Sequence, residues 1–349
     1  MYSVLKRYGR KWSITPKFGK RIFILGNEEI TSMKLSIITI NFNNAAGLKK
    51  TLDSVAAQDL SSIPTLHSNL STLISPLTIE HIIVDGGSTD GGVDIIRDYE
   101  SCIAHRQLPI SLKWVSEKDK GIYNAMNKGI EIAMGRRVVD DGHRSNLSTL
   151  NSNLSPDHYL QILNSGDLLA SNDVCAKMSA AMSEKNYPDI LYGNMIKFWP
   201  DGHQLKDSCK GPQKLTMLSF YHGTLNHDSA YIRLSLFDKF GLYDENLKIV
   251  SDWEWYLKAI PLGGVVPVYA PIDVTLFDMT GVSESNTAFW KVERRPVLER
   301  EVPAMILADY DRYAHDMYMI ERIRRHHLYP LVRFIERVLF KLEKWHILK

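Results

Sequence analysis

Apolar and polar positions fall into a regular order from Leu35 onward. "LSIITI" (35–40) is an apolar, β-branched run, the pattern of a buried strand. Asn43 or Asn44 can cap the helix that follows, and Leu48, Leu52 and Val55 keep its 3.6-residue period. "IEHIIVD" (79–85) predicts a second strand, and "GGSTDGG" turns into a helix running through Arg97. "LKWVSE" (112–117) is a third strand, followed by a helix over 121–134 that stops at Gly135. "YLQIL" (159–163) is a fourth strand, ending in "NSGD", and "DILYGN" (189–194) a fifth. Strands alternating with helices predict an α/β protein with a doubly wound, mostly parallel sheet flanked by helices.

Four regions break this rhythm. Residues 60–78 and 137–157 are rich in Ser, Asn, Leu and Pro, and share the hexapeptide "SNLSTL" at 68–73 and 145–150. Both read as surface insertions in a domain spanning 34–285. Residues 1–33 are basic and aperiodic. They read either as an extension or upstream mis-start, or as a membrane-surface segment. In the helical extension 286–349, apolar residues at 331, 334, 335, 338, 339, 342 and 345 form one stripe. Arg333, Arg337, Lys341 and Lys344 lie opposite. Such a helix can lie on an anionic membrane surface or dock on the protein's own core.

Composition narrows the class. The chain has 349 residues, 44% hydrophobic and 23% charged, enough for a full core, and a net charge of +2 that gives no sign of nucleic acid. Cys102, Cys175 and Cys209 are scattered, which disfavours a disulfide framework or a zinc site and fits a cytoplasmic protein. No apolar run reaches the ~18 residues needed to span a bilayer.

In an open parallel sheet, ligands bind at the carboxyl ends of the strands. Thr39 and Asn41, Asp85, Ser116 with Glu117 and Asp119, and Asn164 to Asp167 all fall there. Each alone has a plain structural use; four polar strand ends together point to a site. Ser88, Thr89 or Asp90 can cap the second helix. Neither GxGxxG nor GxxxxGK[ST] occurs, which disfavours a dinucleotide fold and a P-loop. Asp167 is one carboxylate of the kind that holds Mg²⁺ or Mn²⁺ together with substrate phosphates. In "SDWEW" (251–255), Ser251 and Glu254 fit a capping box, and Asp252 lies in the first turn, where the helix dipole favours its ionised form. His227 and Asp228 precede a further strand as contact candidates.

In order, "LSIITINFNN", "IIVDGGSTDGG", "WVSEKDKGIYNAMNKGI", "ILNSGD", "NHDSAYI" and "GLYDENLKIVSDWEWYLK" resemble glycosyltransferase family 2, in its bacterial polysaccharide subgroup. The likeness covers roughly 35–285 and implies the nucleotide-sugar-binding GT-A fold. It implies that Thr39, Asn41, Asp85, Asp119, Asn127, Ser165 and Gly166 bind a nucleotide sugar, with a UDP-sugar favoured. It implies Asp167 as the last acid of a DxD-type metal motif for Mg²⁺ or Mn²⁺. Asp252 would be the base that deprotonates an acceptor hydroxyl, giving inversion, with His227, Asp228 and Trp253 on the acceptor side. The acceptor would be a saccharide or lipid-linked saccharide, met at the inner face of the plasma membrane if the C-terminal helix binds there. Two departures stand out. Asp85-Gly86 replaces the family's Asp-Asp pair, whose second acid contacts the base, and the metal motif is reduced to Asn164-Ser-Gly-Asp167. A non-catalytic paralogue and a sugar-phosphate nucleotidyltransferase are the other readings; the second lacks its Gly-rich basic loop.

Overall fold

The computed structural model of the chain describes residues 23–25, 28–30, 33–60, 77–140, 143–147, 156–209, 211, 214–280, 289–324 and 326–344. β1 (Phe23–Leu25) and β2 (Glu28–Ile30) form a short antiparallel hairpin within the aperiodic N-terminal stretch. The main sheet starts with β3 (Lys34–Asn41), where the apolar alternation starts. α1 (Ala45–Ala56) follows, capped by the Asn44 side chain, which accepts from the Gly47 N–H. β4 (Thr78–Asp85), α2 (Gly92–Arg106), β5 (Ile110–Ser116) and α3 (Ile122–Ala133) complete the first half.

β6 (Arg137–Val139) pairs with β7 (Ser145–Leu147) as a hairpin, so the described part of the second insertion is ordered structure. Most of the first insertion, with its hexapeptide, lies outside the described residues. Then come β8 (His158–Ile162), β9 (Leu168–Leu169), α4 (Val174–Glu184), β10 (Ile190–Phe198) and β11 (Gln204–Asp207). α5 (Met217–His222), β12 (Ala230–Arg233), α6 (Leu236–Phe240), α7 (Ser251–Leu257) and β13 (Val268–Asp278) close the sheet. α8 (Phe289–Glu301), α9 (Ala304–Arg324) and α10 (Tyr329–Lys344) end the chain.

The nine-stranded sheet has the order β5-β4-β3-β8-β12-β10-β13-β9, with β11 beside β10. The first four strands are parallel. β12 then runs antiparallel to both its neighbours, and β10 and β13 are parallel to each other. The sheet is therefore parallel in its first half and mixed in its second, flanked by helices in the GT-A-like way. Side-chain alternation divides the core between its faces. Leu35 and Ile37 pack with α1, α2 and α4; Ile38 and Ile40 pack with α3, α7 and α8. α3 lies close on the sheet because Gly129 has no Cβ, which would stand 2.5 Å from Ile38 Cγ2.

The C-terminal extension divides in two. Val297, Leu298, Val302 and Leu307 are buried in the core beside Trp253, at about 2 kcal/mol for each large side chain. α8 and the start of α9 are thus part of the domain. On α10, Leu331, Phe334, Ile335, Leu339 and Phe340 stay between 46% and 65% exposed, so its apolar face is not docked on the body. Among the described residues, no helix is long and apolar enough to cross a membrane.

Candidate active site

The chain passes from β3 outward to β5 and returns through α3 to β8, so strand order reverses between β3 and β8. The segments after β3, β4, β5 and β8 meet there, joined by the residues before β12 and the end of β13. The floor is built on Asp85, which is fully buried. Its Oδ1 accepts from Asn41 Nδ2 (2.8 Å) and Ser88 Oγ (2.5 Å). Its Oδ2 accepts from the Ser88 N–H (2.9 Å), the Gly87 N–H (3.1 Å) and Ser116 Oγ (2.7 Å). Burial alone would raise its pKa, but these bonds hold it below the usual carboxylate range. Asp90 braces the same loop. Its carboxylate accepts from the Ala45 N–H (2.7 Å) and the Gly92 N–H (3.1 Å), serving the starts of α1 and α2 together.

Gly86 leaves room above this floor. A Cβ there would lie 2.5 Å from Asp119 Oδ2 and 3.1 Å from Phe42 Cδ2. Asp119 thus fills the place where the family's second acid would begin. Phe42 is 63% exposed beside it. Asn44 Nδ2 donates to Ser165 O (3.0 Å), and Thr51 Oγ1 donates to Asp167 O while accepting from the Gly166 N–H. These contacts fix the "NSGD" loop against α1.

Asp167 is 4% exposed, and its Oδ1 accepts from the Asp278 N–H (3.0 Å). Burial, and then the nearby Asp228 charge, push its pKa up to about 8. A buried carboxylate whose ionised form is disfavoured would be relieved by a cation, so Asp167 fits a hard divalent ion. Among the described residues, no group of three or more His, Cys, Asp or Glu could hold a metal ion.

Asp252, in the first turn of α7, lies between two partners. Tyr123 OH donates to its Oδ1 (3.0 Å), and His227 Nδ1 meets its Oδ2 at 3.2 Å. Burial would raise the Asp252 pKa, but the His227 bond and charge, with Tyr123, lower it. Burial would lower that of His227, but the Asp252 bond and charge, with Asp228 and Asp167 beyond, push it up to about 9. The pair is therefore an imidazolium–carboxylate at neutral pH. His227 Nε2 lies 3.5 Å from the Asn164 side-chain amide, next to the "NSGD" loop.

Several expectations change. Thr39 is fully buried and bonds His81 Nε2 (3.0 Å), whose Nδ1 meets Tyr99 OH; it does not line a pocket. Asp85 lies beneath the site with both oxygens in use, as described above. Asn127 is 4% exposed. Its amide donates to Tyr243 O and Glu245 Oε1 and accepts from the Tyr243 N–H. Asn124 bonds Glu245 from the same helix. These asparagines tie α3 to 243–245 and are spent on the fold. Asp228 is buried and accepts from Thr275 Oγ1; Trp253 is buried with its indole N–H on Phe220 O. The Ser251/Glu254 capping box is absent: Val250 is the N-cap, Ser251 Oγ has no partner, and Glu254 pairs with Arg300 and Lys258. Asn41, Asp119, Ser165, Gly166, Asp167, His227 and Asp252 do gather at one edge. Phe42 and Tyr123 were not picked out from the sequence. Phe42 could have been noticed as an aromatic at a polar strand end, whereas Tyr123 resembles an ordinary core residue.

Residues 36–139 match the family model "Glycosyl transferase family 2". An uncharacterized glycosyltransferase of Mycobacterium tuberculosis (strain CDC 1551 / Oshkosh) is 30% identical over 274 residues, covering 77% of this chain and 85% of that protein. The chain belongs to glycosyltransferase family 2. A PGL/p-HBAD biosynthesis glycosyltransferase of Mycobacterium bovis (strain BCG / Pasteur 1173P2) is 26% identical over 272 residues, covering 76% of this chain and 85% of the relative. Among solved structures, S. aureus TarS 1-349 in complex with UDP is 19% identical with a TM-score of 0.48, covering 70% of this chain and 60% of that one. Membership of the family makes this chain an enzyme of glycosyl transfer, and the gathered edge is its candidate active site.

Proposed function

We propose that this chain is an inverting, hexosyltransferase-type enzyme working in surface polysaccharide or glycolipid synthesis. It would move a sugar from a nucleotide-diphosphate donor, with a UDP-sugar as the first choice, to a hydroxyl of a saccharide or lipid-linked saccharide. The observation that carries this reading is the Asp252 carboxylate, held between Tyr123 OH and His227 Nδ1, with Asn164 of the Asp167 loop beside the same imidazole.

The donor's base would lie on exposed Phe42, with Asp119 accepting from its N–H in place of the acid missing at Gly86. The Ser165-Gly166 turn would meet the sugar-phosphate. Asp167 would hold Mg²⁺ or Mn²⁺, which when bound offsets the charge growing on the diphosphate. The acceptor hydroxyl donates its hydrogen bond to Asp252. Its oxygen attacks the anomeric carbon as the bond to the diphosphate breaks on the opposite face, and its proton passes to Asp252. One displacement inverts the anomeric centre. The exposed apolar face of α10, with Arg337 and Lys341 on its polar side, would rest on an anionic membrane surface at the inner face of the plasma membrane.

Calorimetric titration with UDP-, GDP-, dTDP- and CMP-sugars, with and without Mn²⁺, tests the donor site. Metal-dependent binding of one donor is expected. Folded protein that binds none of them would favour a non-catalytic paralogue.

A further inference from the structure

A second cavity, of about 290 Å³, opens between α5 and α8, and Tyr221, Trp290, Lys291, Arg294, Arg295 and Leu298 line it. Its unusual member is Arg294. The guanidinium carbon sits 4.6 Å from the ring centroid of Trp253 and 4.6 Å from that of Trp290. Its Nε and Nη1 are buried, and among the described residues neither has a hydrogen-bond partner. Arg295 next to it pairs with Glu299 and both oxygens of Asp311. Among the described residues, Arg294 has no such carboxylate.

Two aromatic faces recover part of the cost of burying this cation, but they do not satisfy its N–H groups. Burial lowers its pKa only to about 10, so it stays charged at neutral pH. A charged guanidinium with two buried, unpartnered nitrogens is expensive in a folded protein. It is well suited to an anion that arrives later, through a bidentate pair. Trp253, on which the guanidinium stacks, is the residue that follows Asp252 in α7, so the cavity is joined to the helix that carries the base. Lys291, over the Trp290 ring, adds a second cation at the mouth.

We propose that this cavity is an acceptor subsite for an anionic saccharide, its phosphate or carboxylate paired with Arg294 and met at the mouth by Lys291. The assignment to the acceptor rests on the reading of Asp252 as the base. The binding itself does not.

The test is to titrate the full chain, without nucleotide or metal, with glucose 1-phosphate, glucuronic acid and methyl glucoside, following tryptophan fluorescence. At least one anionic probe should bind about tenfold tighter than methyl glucoside, as a charge-assisted pair allows. Arg294→Met should lose that preference and Arg294→Lys should keep part of it. The Tm of Arg294→Met should equal or exceed that of the wild type, because an unpaired buried cation has been replaced by an apolar chain. A response to glucose 1-phosphate alone supports a phosphate acceptor, and one to glucuronic acid alone supports an acidic sugar. Equal binding of all three probes, or an unchanged preference in Arg294→Met, overturns the proposal. So does an Arg294→Met protein with a sharply lowered Tm and no change in probe binding, which would make the guanidinium structural. Failure of the donor titration would leave this result standing, and failure here would leave donor binding untouched.

Discussion

The two halves of the candidate site treat their polar residues in opposite ways. Under the strand ends of β3 to β5, polar groups are largely satisfied by the protein itself. Asp85 takes five hydrogen bonds, and Asn127 is fully used by Tyr243 and Glu245. Around α7 and β12 the groups are poorly satisfied. Asp167 is buried with a raised pKa, His227 and Asp252 form a charged pair at the surface of the core, and Arg294 has buried N–H groups without partners. The first half shapes a loop; the second holds charge in readiness for a substrate. Replacements in the first half should therefore cost stability, and replacements in the second should cost activity.

The largest effect expected on the charged side, short of the base itself, is at Asp167. Asp167→Asn should lower transfer by about 100-fold or more, through lost metal-dependent binding, while the Tm holds or rises because a strained buried carboxylate is gone. A rate assay paired with a melting curve reads both. On the satisfied side, Asp85→Ala should cost about 3 kcal/mol in denaturant unfolding, since it orphans several buried donors at once. Intact stability with lost donor binding would move Asp85 to the other side of the comparison. Asn127→Ala should cost about 1–2 kcal/mol and leave donor affinity within about threefold. A large affinity loss without destabilisation would restore it as a ligand contact.

The smallest effect is a pH slope. Burial holds the pKa of His81 near 3, and burial with the Lys34 charge does the same to His158, against 6.5 when unfolded. Between about pH 6.5 and 3 the unfolded chain therefore binds protons that the folded chain refuses. Stability from these two groups is present above pH 6.5 and is lost as pH falls. Asp167, with its pKa pushed up to about 8, works in the opposite direction and offsets part of this loss, so the fall in Tm should show between about pH 6.5 and 5 and be modest, and His81→Gln should flatten it. A slope unchanged in His81→Gln would count against a neutral buried His81.

The sequence was informative where a signal was local. The apolar run from Leu35 and the polar ends of successive strands marked the edge of the site, and the first-turn position of Asp252 marked one candidate base. It misled where the deciding partner was distant. Asn127 looked available because Tyr243 lies 116 residues further on, and Ser251 matched a capping box although the helix begins one residue too early for it. The docking of α8 was hidden because Val297 and Leu298 lie among charges. The unpaired state of Arg294 is visible only once Trp253 and Trp290 are brought together.

The account rests most heavily on Asp252. Transfer by Asp252→Asn should be measured at saturating donor, with donor affinity checked by calorimetry on the same preparation. The expected result is a rate lowered by about 10²–10⁴-fold with donor affinity unchanged. Transfer near the wild-type rate would remove Asp252 as the base and with it the division of the site into a structural half and a chemical one.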